Sequence, residues 1–194
     1  MANPMAGFGL RACRRIDGAA LSFQIETRRI AYNNTSVIAT GDLTKSLTTG
    51  FIDLFAAGNA QSCGVFLGCK YRDPNIGNTV WRPIWNAVSG LASTDIVEAY
   101  VIIDPNIVWE IRGSGTVITV ANVGENADLT VGSPSALTGQ SVALLNQGTL
   151  AVTATLPLRI VGLGQSPGND NTLAQNIVEV RLNTTDLQTA TGLA

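Results

Sequence analysis

The sequence has 194 residues, with 12 lysines and arginines against 14 acidic residues, and 13% of its residues are charged. A chain of this length can build one domain with a substantial hydrophobic core. It contains no histidine, which excludes Ser-His-Asp and Cys-His catalytic systems, HExxH zinc sites and the commonest general base near neutral pH. We therefore expect a protein that is not an enzyme and that needs no cofactor and no metal.

The first 30 residues form a basic segment. They contain five arginines against two acidic residues, a net charge of +3, whereas the remainder sums to −5. Residues 1–20 lack apolar periodicity and predict an extended N-terminal arm on a body formed by residues 21–194. Two alternatives stay open: docking of this segment on its own body, and a solvated basic stretch. Because arginine suits bidentate recognition of carboxylates, the predicted partner-binding residues are Phe8, Arg11, Arg14, Arg15, Arg28 and Arg29.

The chain then alternates between apolar and polar residues. Apolar side chains hold odd positions from Leu21 to Ile25 and even positions from Ile30 onward. This period of two predicts a strand. The change of parity at Arg28-Arg29 predicts a bulge or strand break there.

Short apolar runs between Gly-, Asn-, Ser- or Pro-containing turns predict the middle strands. These runs lie at 36–40, 63–67, 96–103, 107–111, 116–120 and 142–145. Helices are limited to two short candidates, 122–129 and 135–138.

Two further alternating segments, 152–160 and 178–182, complete the set of predicted strands. Pro157 indicates an edge position for the first, because proline cannot donate to a ladder. The predicted fold class is all-β, a β-barrel or β-sandwich with an extended N-terminal arm.

Two segments of the chain show a weak sequence similarity, which is called the echo below. GVFLG at 64–68 and RIVGLG at 159–164 both end an apolar strand in glycine. The echo fits two similar β-modules, with a submodule boundary near 90–95, and it equally fits the ordinary composition of strand ends.

Candidate chemical sites are sparse. Gly7-Phe8-Gly9 and Gly162-Leu163-Gly164 lack the full spacing of phosphate-binding loops, and 168–171 lacks the acidic positions of a calcium loop. A general acid–base pair could come from two of four carboxylates, although exposed charges on adjacent strands explain them as well. These residues are Asp95, Glu98, Asp104 and Glu110.

The cysteines and the net charge give two more expectations. Cys13, Cys63 and Cys69 are odd in number and lack zinc-site spacing, which predicts reduced, unligated thiols. Arginines near aromatic residues would permit nucleic-acid binding, but the acidic remainder argues against it. No segment predicts a membrane helix, and the arginines after the first apolar residues argue against a signal peptide.

The order of four segments carries a family resemblance. TRRIAYNNTSVIATGDLTKSLTTGFI at 27–52, GVFLGCKY at 64–71, VEAYVIIDPN at 97–106 and LPLRIVGLGQSPGND at 156–170 together resemble capsid decoration, or cement, proteins of tailed double-stranded DNA bacteriophages. The resemblance spans most of the chain and brings no catalytic residues. The chain is longer than the smallest decoration proteins, which leaves room for an additional module.

The resemblance implies a virion protein, made in the bacterial host cytoplasm, that binds the major capsid protein on the outer face of the head and stabilises the capsid. It also implies a homo-oligomer, commonly a trimer. The alternatives are another virion component, such as a head–tail or tail protein, and a carbohydrate-binding or hydrolytic β-domain.

Overall fold

The fold is almost entirely β-structure, as the sequence predicts. A computed structural model describes residues 3–4, 6–59 and 61–188. These residues form fourteen strands and one 3-10 turn at Val120–Asn122, and no α-helix occurs among them. The strands are β1 Arg11–Arg15, β2 Ile25–Ile30, β3 Val37–Ala39, β4 Leu43–Ser46, β5 Ile52–Leu54, β6 Gly64–Arg72, β7 Thr79–Arg82, β8 Ile84–Asn86, β9 Val97–Ile102, β10 Ile107–Arg112, β11 Asn126–Thr130, β12 Leu144–Ala151, β13 Leu158–Leu163 and β14 Ile177–Leu182.

Five strands of the first half close into a barrel. The order is β4-β5-β2-β9-β6, and β6 pairs with β4 to complete the ring. β7 is added to the outside of the ring by pairing with β6. A separate two-stranded sheet, β3 with β8, contributes Ile38 and Trp85 to the core of this barrel.

Five strands of the second half form a similar ring. The order is β10-β14-β13-β11-β12, and a parallel bridge between Gly113 and Leu145 brings β12 back to the end of β10. The Ser114 N–H donates to the Leu145 carbonyl at 2.8 Å across the same junction. β1 is added to this ring by pairing with β10.

The two rings have the same connectivity. In each, the first strand pairs antiparallel with the fifth, the fifth with the fourth, the fourth with the second, and the second with the third. In each, the third strand returns to the first in parallel. The chain passes from one barrel to the other between Ile102 and Ile107, after the 90–95 segment that the sequence suggests as a boundary.

The echo between 64–68 and 159–164 falls on equivalent strands. β6 and β13 are the fourth strands of their barrels, and both contain a register shift, at Phe66/Gly68 and at Ile160/Gly162. In each case the extra residue stands directly before glycine, which is typical of a β-bulge. The echo therefore reflects a shared local geometry.

One hydrophobic cluster joins the barrels. Leu43, Phe55, Val65 and Ile102 of the first barrel pack with the interior residues of the second, among them Trp109. A second cluster fills the first barrel. Since buried apolar side chains of both halves share one cluster, the barrels form a continuous body.

The predicted bulge at Arg28-Arg29 is wrong. β2 pairs with β9 in unbroken register from Ile25 opposite Ile102 to Ile30 opposite Val97. The strand keeps its register by leaving Ile25 exposed. Of its two isoleucines, only Ile30 enters the core. Retaining the ladder hydrogen bonds outweighs the exposure of one isoleucine.

Three other predicted boundaries are also wrong. Residues 152–157 form a turn, and β13 begins only after Pro157, which has no N–H to give a ladder. Residues 116–119 lie outside the strands. The helix predicted at 122–129 is largely replaced by β11, because Asn126 and Ala127 pair with β13.

The described residues of the N-terminal segment lie on the body. Asn3 donates from its side-chain amide to the carbonyls of Asp170 and Ala174 at 2.9 and 3.0 Å. The Leu10 N–H donates to the Gly41 carbonyl, and the Leu10 side chain is buried in the shared cluster. These residues and β1 therefore do not project as an extended arm.

Candidate functional site

The arginines of β1 are paired within the molecule. Each predicted partner-binding arginine on this strand forms an ion pair with a carboxylate of the same sheet or of a nearby turn. The side chains of Glu110, Asp104 and Glu179 are largely removed from solvent. Glu179 raises the pKa of Arg14 by accepting its hydrogen bond. The pairs are Arg11–Glu110 at 2.5 Å, Arg14–Glu179 at 2.6 Å, Arg15–Asp17 at 2.8 Å and Arg15–Asp104.

The remaining predicted contact residues are spread over the molecule. Arg28 on β2 pairs with Glu26 on the same strand at 3.0 Å, and Arg29 is exposed. Phe8 is half-buried, and the Arg11 guanidinium lies over its ring at 4.8 Å. The structure thus brings Phe8 together with Arg11 of β1, and it does not bring Arg28 and Arg29 of β2 to that ring.

The four candidate acid–base carboxylates are not brought together as a pair. Glu110 accepts hydrogen bonds from Arg11 and from the Ser166 hydroxyl, and Asp104 accepts from Arg15 and from the Asn106 N–H. Asp95 accepts from the Ala92 N–H. Glu98 faces Lys70 at 3.9 Å. Each carboxylate therefore has its own structural partner, and none of these contacts joins two carboxylates.

The three cysteines are free thiols, Cys13 half-buried and Cys63 and Cys69 buried. Burial, with the nearby Glu179, raises the pKa of Cys13 to about 11. Burial raises the pKa of Cys69 to about 12. These thiols are protonated at neutral pH, which makes them poor nucleophiles. No group of three or more metal-ligating side chains occurs in the part of the chain that the structure describes.

The most distinctive surface feature is an apolar groove of about 620 Å³, a volume in the range of binding sites. Among the described residues that line it, Arg11 is the only charged one. Two aromatic rings at its mouth are unusually accessible, since Phe23 is 44% and Trp81 is 57% exposed. The other ring at the mouth is Phe8, and Trp109 lies at the buried side.

The groove lies between the two added strands. Its walls include Arg11 and Ala12 of β1 and Trp81 of β7. β1 pairs with β10 and β7 pairs with β6, so each forms an edge of its sheet. Gly68 on β6 makes room for the indole: a Cβ at this position would stand 2.6 Å from the Trp81 ring.

A buried arginine lies behind Phe8. Arg112, at the end of β10, is 6% exposed, and its guanidinium is 5.7 Å from the Phe8 ring. It donates to the Gln175 carbonyl at 2.8 Å, while its Nε has no hydrogen-bond partner among the described residues. The ion pairs of those residues do not include it. Burial, with the nearby Arg11, lowers the pKa of Arg112.

Comparison of this chain with known proteins identifies no relative. No family model, curated protein or solved structure matches this chain. Among the described residues, no helix has the length and apolarity needed to cross a membrane. The function must therefore be argued from the geometry of the groove and from the sequence resemblance.

A polar clamp holds the floor of the groove. Asp42 accepts hydrogen bonds from the Ala39 N–H at 2.7 Å and from the Ser141 hydroxyl. The carboxylate is buried, and this burial raises its pKa. Thr40 and Gly41, which line the groove, lie directly between the clamped residues. The clamp joins the first barrel to the 139–143 segment that leads into β12.

Sequence reasoning missed Phe23, Trp81 and Arg112. Phe23 belongs to an alternating segment and was expected to face a core, but it lies before β2 begins and remains accessible. Trp81 stands in a short strand that no pattern indicates. Arg112 follows the ordinary alternation after Ile111, and only the tertiary fold shows that no carboxylate of the described residues pairs with it. One feature of the sequence could have indicated Trp81: it stands next to Val80 in a short apolar run that has polar residues on both sides.

Proposed function

We propose that this protein is a non-enzymatic structural component of a tailed double-stranded DNA phage virion, which decorates the outer face of the head by binding the major capsid protein. The observation that carries the proposal is the apolar groove with its exposed Phe23 and Trp81. Aromatic side chains in an apolar patch are typical of the energetically dominant part of protein interfaces.

Two further features support this proposal. The order of the four sequence segments resembles decoration proteins, and the candidate carboxylates are occupied in structural contacts. Binding to assembled shells stabilises them by mass action, by about 2.7 kcal/mol per site when the free protein is about 100-fold above its Kd. Many copies on one shell multiply this effect, and a trimer adds avidity because each contact holds the next nearby.

The test is the temperature at which heads release packaged DNA. Heads of the phage that encodes this chain are compared bare and saturated with the protein, and light scattering of the isolated protein gives its oligomeric state. We expect saturated heads to release DNA at a higher temperature. The variant Trp81→Ala should bind shells at least tenfold more weakly, since truncating an aromatic hot spot removes about 2 kcal/mol or more of binding energy.

A matched control is available in the first barrel. Ile76 is 59% exposed and does not line the groove, so Ile76→Ala should bind shells as the unmodified protein does. An unchanged release temperature in saturated heads would remove the stabilising role. Attachment at one vertex, rather than over the whole shell, would favour a head–tail component instead.

A further inference from the structure

We propose that the groove binds an extended segment of the partner protein, apolar on the side that enters the groove and carrying an acidic side chain that lies beside Arg11. This inference rests on the proposed function, because it specifies how the capsid protein is recognised. It assigns the partner a chemistry: a strand-like peptide with one carboxylate.

The extended conformation follows from the edges of the groove. Among the strands of the described residues, β1 and β7 each have a neighbouring strand on one side only. An edge strand presents unpaired backbone N–H and C=O groups, which a further strand can satisfy. A groove bounded by two such edges therefore suits a peptide whose backbone groups are free, and an extended segment has them on both sides.

The apolar character follows from the lining. Phe23 and Trp81 present nearly half or more of their surface to solvent, and Phe8 and Leu10 lie alongside them. In an extended peptide, alternate side chains point to the same face. Every second residue of the bound segment would therefore enter the groove, and apolar side chains there would remove the exposed rings from water.

The acidic side chain follows from an imbalance of charge. Arg11 and Arg112 lie against the same Phe8 ring, at 4.8 and 5.7 Å. Glu110 forms its ion pair with Arg11 and also accepts the Ser166 hydroxyl, and Arg112 has no carboxylate among the described residues. Two guanidinium groups thus stand against one carboxylate. Because Arg112 is 6% exposed, water and salt screen its unbalanced charge only weakly, and this charge attracts an anion even without direct contact.

A second unpartnered polar group lies at the groove. Trp109 lines it, is 1% exposed, and has an indole N–H without a hydrogen-bond partner among the described residues. Buried polar groups are normally hydrogen-bonded. This N–H is closed off from solvent, so it does not itself contact a bound segment, and the carboxylate of that segment is recognised through Arg11 at the rim with the unpaired Arg112 behind Phe8.

The experiment uses the full chain and twelve-residue overlapping peptides that cover the major capsid protein of the same phage. Trp81 is the only exposed tryptophan, because Trp85 and Trp109 are at most 1% exposed, so acrylamide quenching of tryptophan emission reports occupation of the groove. We expect at least one peptide that alternates apolar residues and contains Asp or Glu to protect Trp81. The same peptide with Asn or Gln at that position should bind about tenfold more weakly.

Protein variants test the cation. Arg11→Gln should weaken binding of the acidic peptide about tenfold and bind the amide peptide equally well. Arg159→Gln makes the same change of charge at an exposed position of β13 and should have no effect. Arg112→Met should also weaken binding of the acidic peptide. If this variant does not fold, the difference in affinity between low and high salt, compared for the acidic and the amide peptide, measures the electrostatic contribution of the site as a whole.

The possible outcomes separate this inference from the proposed function. If heads bind the protein but no capsid peptide protects Trp81, the inference is wrong and the decoration role stands. Equal binding of acidic and amide peptides also overturns it, as would protection of Trp81 by a second copy at high protein concentration or by a soluble glycan. If heads do not bind the protein, the proposed function fails and this inference fails with it.

Discussion

The two barrels share a framework but differ in what has been added to it. Both join five strands in the same order and close with a parallel contact between the third and first strands. The first barrel carries its additional strand, β7, on its fourth strand. The second carries β1 on its first strand, and that strand comes from the N-terminal segment before the first barrel begins.

The difference locates the candidate site. The groove is lined by Arg11 and Ala12 of β1 and by Trp81 of β7, the two strands that lie outside the repeated pattern. The repeated strands provide the framework and bury Trp109, while the added strands supply Trp81, the Arg11 cation and the free edges. The candidate site therefore lies where the two barrels differ in their added strands.

The barrels also differ in their interiors. The first encloses Cys63, Cys69 and an edge-to-face pair formed by Tyr71 and Trp85, with ring centroids 5.7 Å apart. The second is filled mainly by aliphatic side chains around Trp109. Identical strand order thus imposes no particular core composition, provided that the volume is filled.

The largest expected effect tests whether the barrels are one cooperative unit. Trp85→Ala in the first barrel and Trp109→Ala in the second should each lower the free energy of unfolding by about 3–5 kcal/mol. Because the cluster around Trp109 includes Leu43 and Ile102 of the first barrel, both variants should unfold in a single transition. Urea unfolding followed by circular dichroism and by fluorescence checks this; separate transitions for the two barrels would contradict it.

The next effect concerns the added strand of the second barrel. Leu10, directly before β1, is 5% exposed, whereas Leu21 is 43% exposed. Leu10→Ala should lower the free energy of unfolding by about 2–5 kcal/mol, and Leu21→Ala by clearly less. Thermal unfolding of the two variants gives the comparison. Equal effects would mean that the N-terminal segment is not fixed to the body.

A smaller effect tests the clamp between the barrels. Burial raises the pKa of Asp42, so its ionised form costs folding free energy. This contribution to stability is full below the unfolded pKa of about 3.9 and is lost as pH rises through the folded pKa. Asp42→Asn cannot ionise and should flatten that part of the dependence. Unfolding free energies of both proteins across pH 4 to 8 check the sign: the unmodified protein should lose stability relative to Asp42→Asn as pH rises, and parallel curves would contradict this.

The smallest effect concerns the exposed pairs on β1. The Arg14 side chain is 48% exposed in its ion pair with Glu179. Arg14→Gln should lower the free energy of unfolding by less than about 1 kcal/mol, with the difference shrinking at high salt. Denaturant titrations at two salt concentrations measure it. A larger loss would show that this edge is essential to the second barrel.

The sequence predicted the strands with regular alternation and missed those determined by tertiary contacts. The segments at 63–67, 96–103 and 178–182 alternate or are apolar throughout, and each contains a strand. The alternation at 152–156 is equally regular, yet it forms a turn, because nothing in a local pattern shows whether a neighbouring strand is present. β1 was missed for the converse reason: its ladder partner is 99 residues away in the pair Arg11–Glu110.

The groove could not be predicted at all from local patterns. Its walls come from β1, β7 and the 138–140 turn, which are far apart in the sequence. The resemblance of the four segments suggested a partner protein, and the charge count drew attention to the arginines. Neither could show that Glu110, Glu179 and Asp104 neutralise those arginines while Arg112 has no carboxylate partner among the described residues.

The pairing of β1 with β10 has a consequence for synthesis of the chain. The Arg11–Glu110 contact spans 99 residues, and ribosomes add about 5–20 residues per second, so β1 waits about 5–20 s for its neighbour to be made. All strands of the first barrel are synthesised during that interval, and this barrel can close before the second one starts. During that interval Leu10 can contact only the first-barrel members of the cluster in which it is finally buried, such as Leu43 and Val65. β1 can then pair with β10 as soon as that strand is made, before the remaining strands of the second barrel, β11 to β14, have been synthesised.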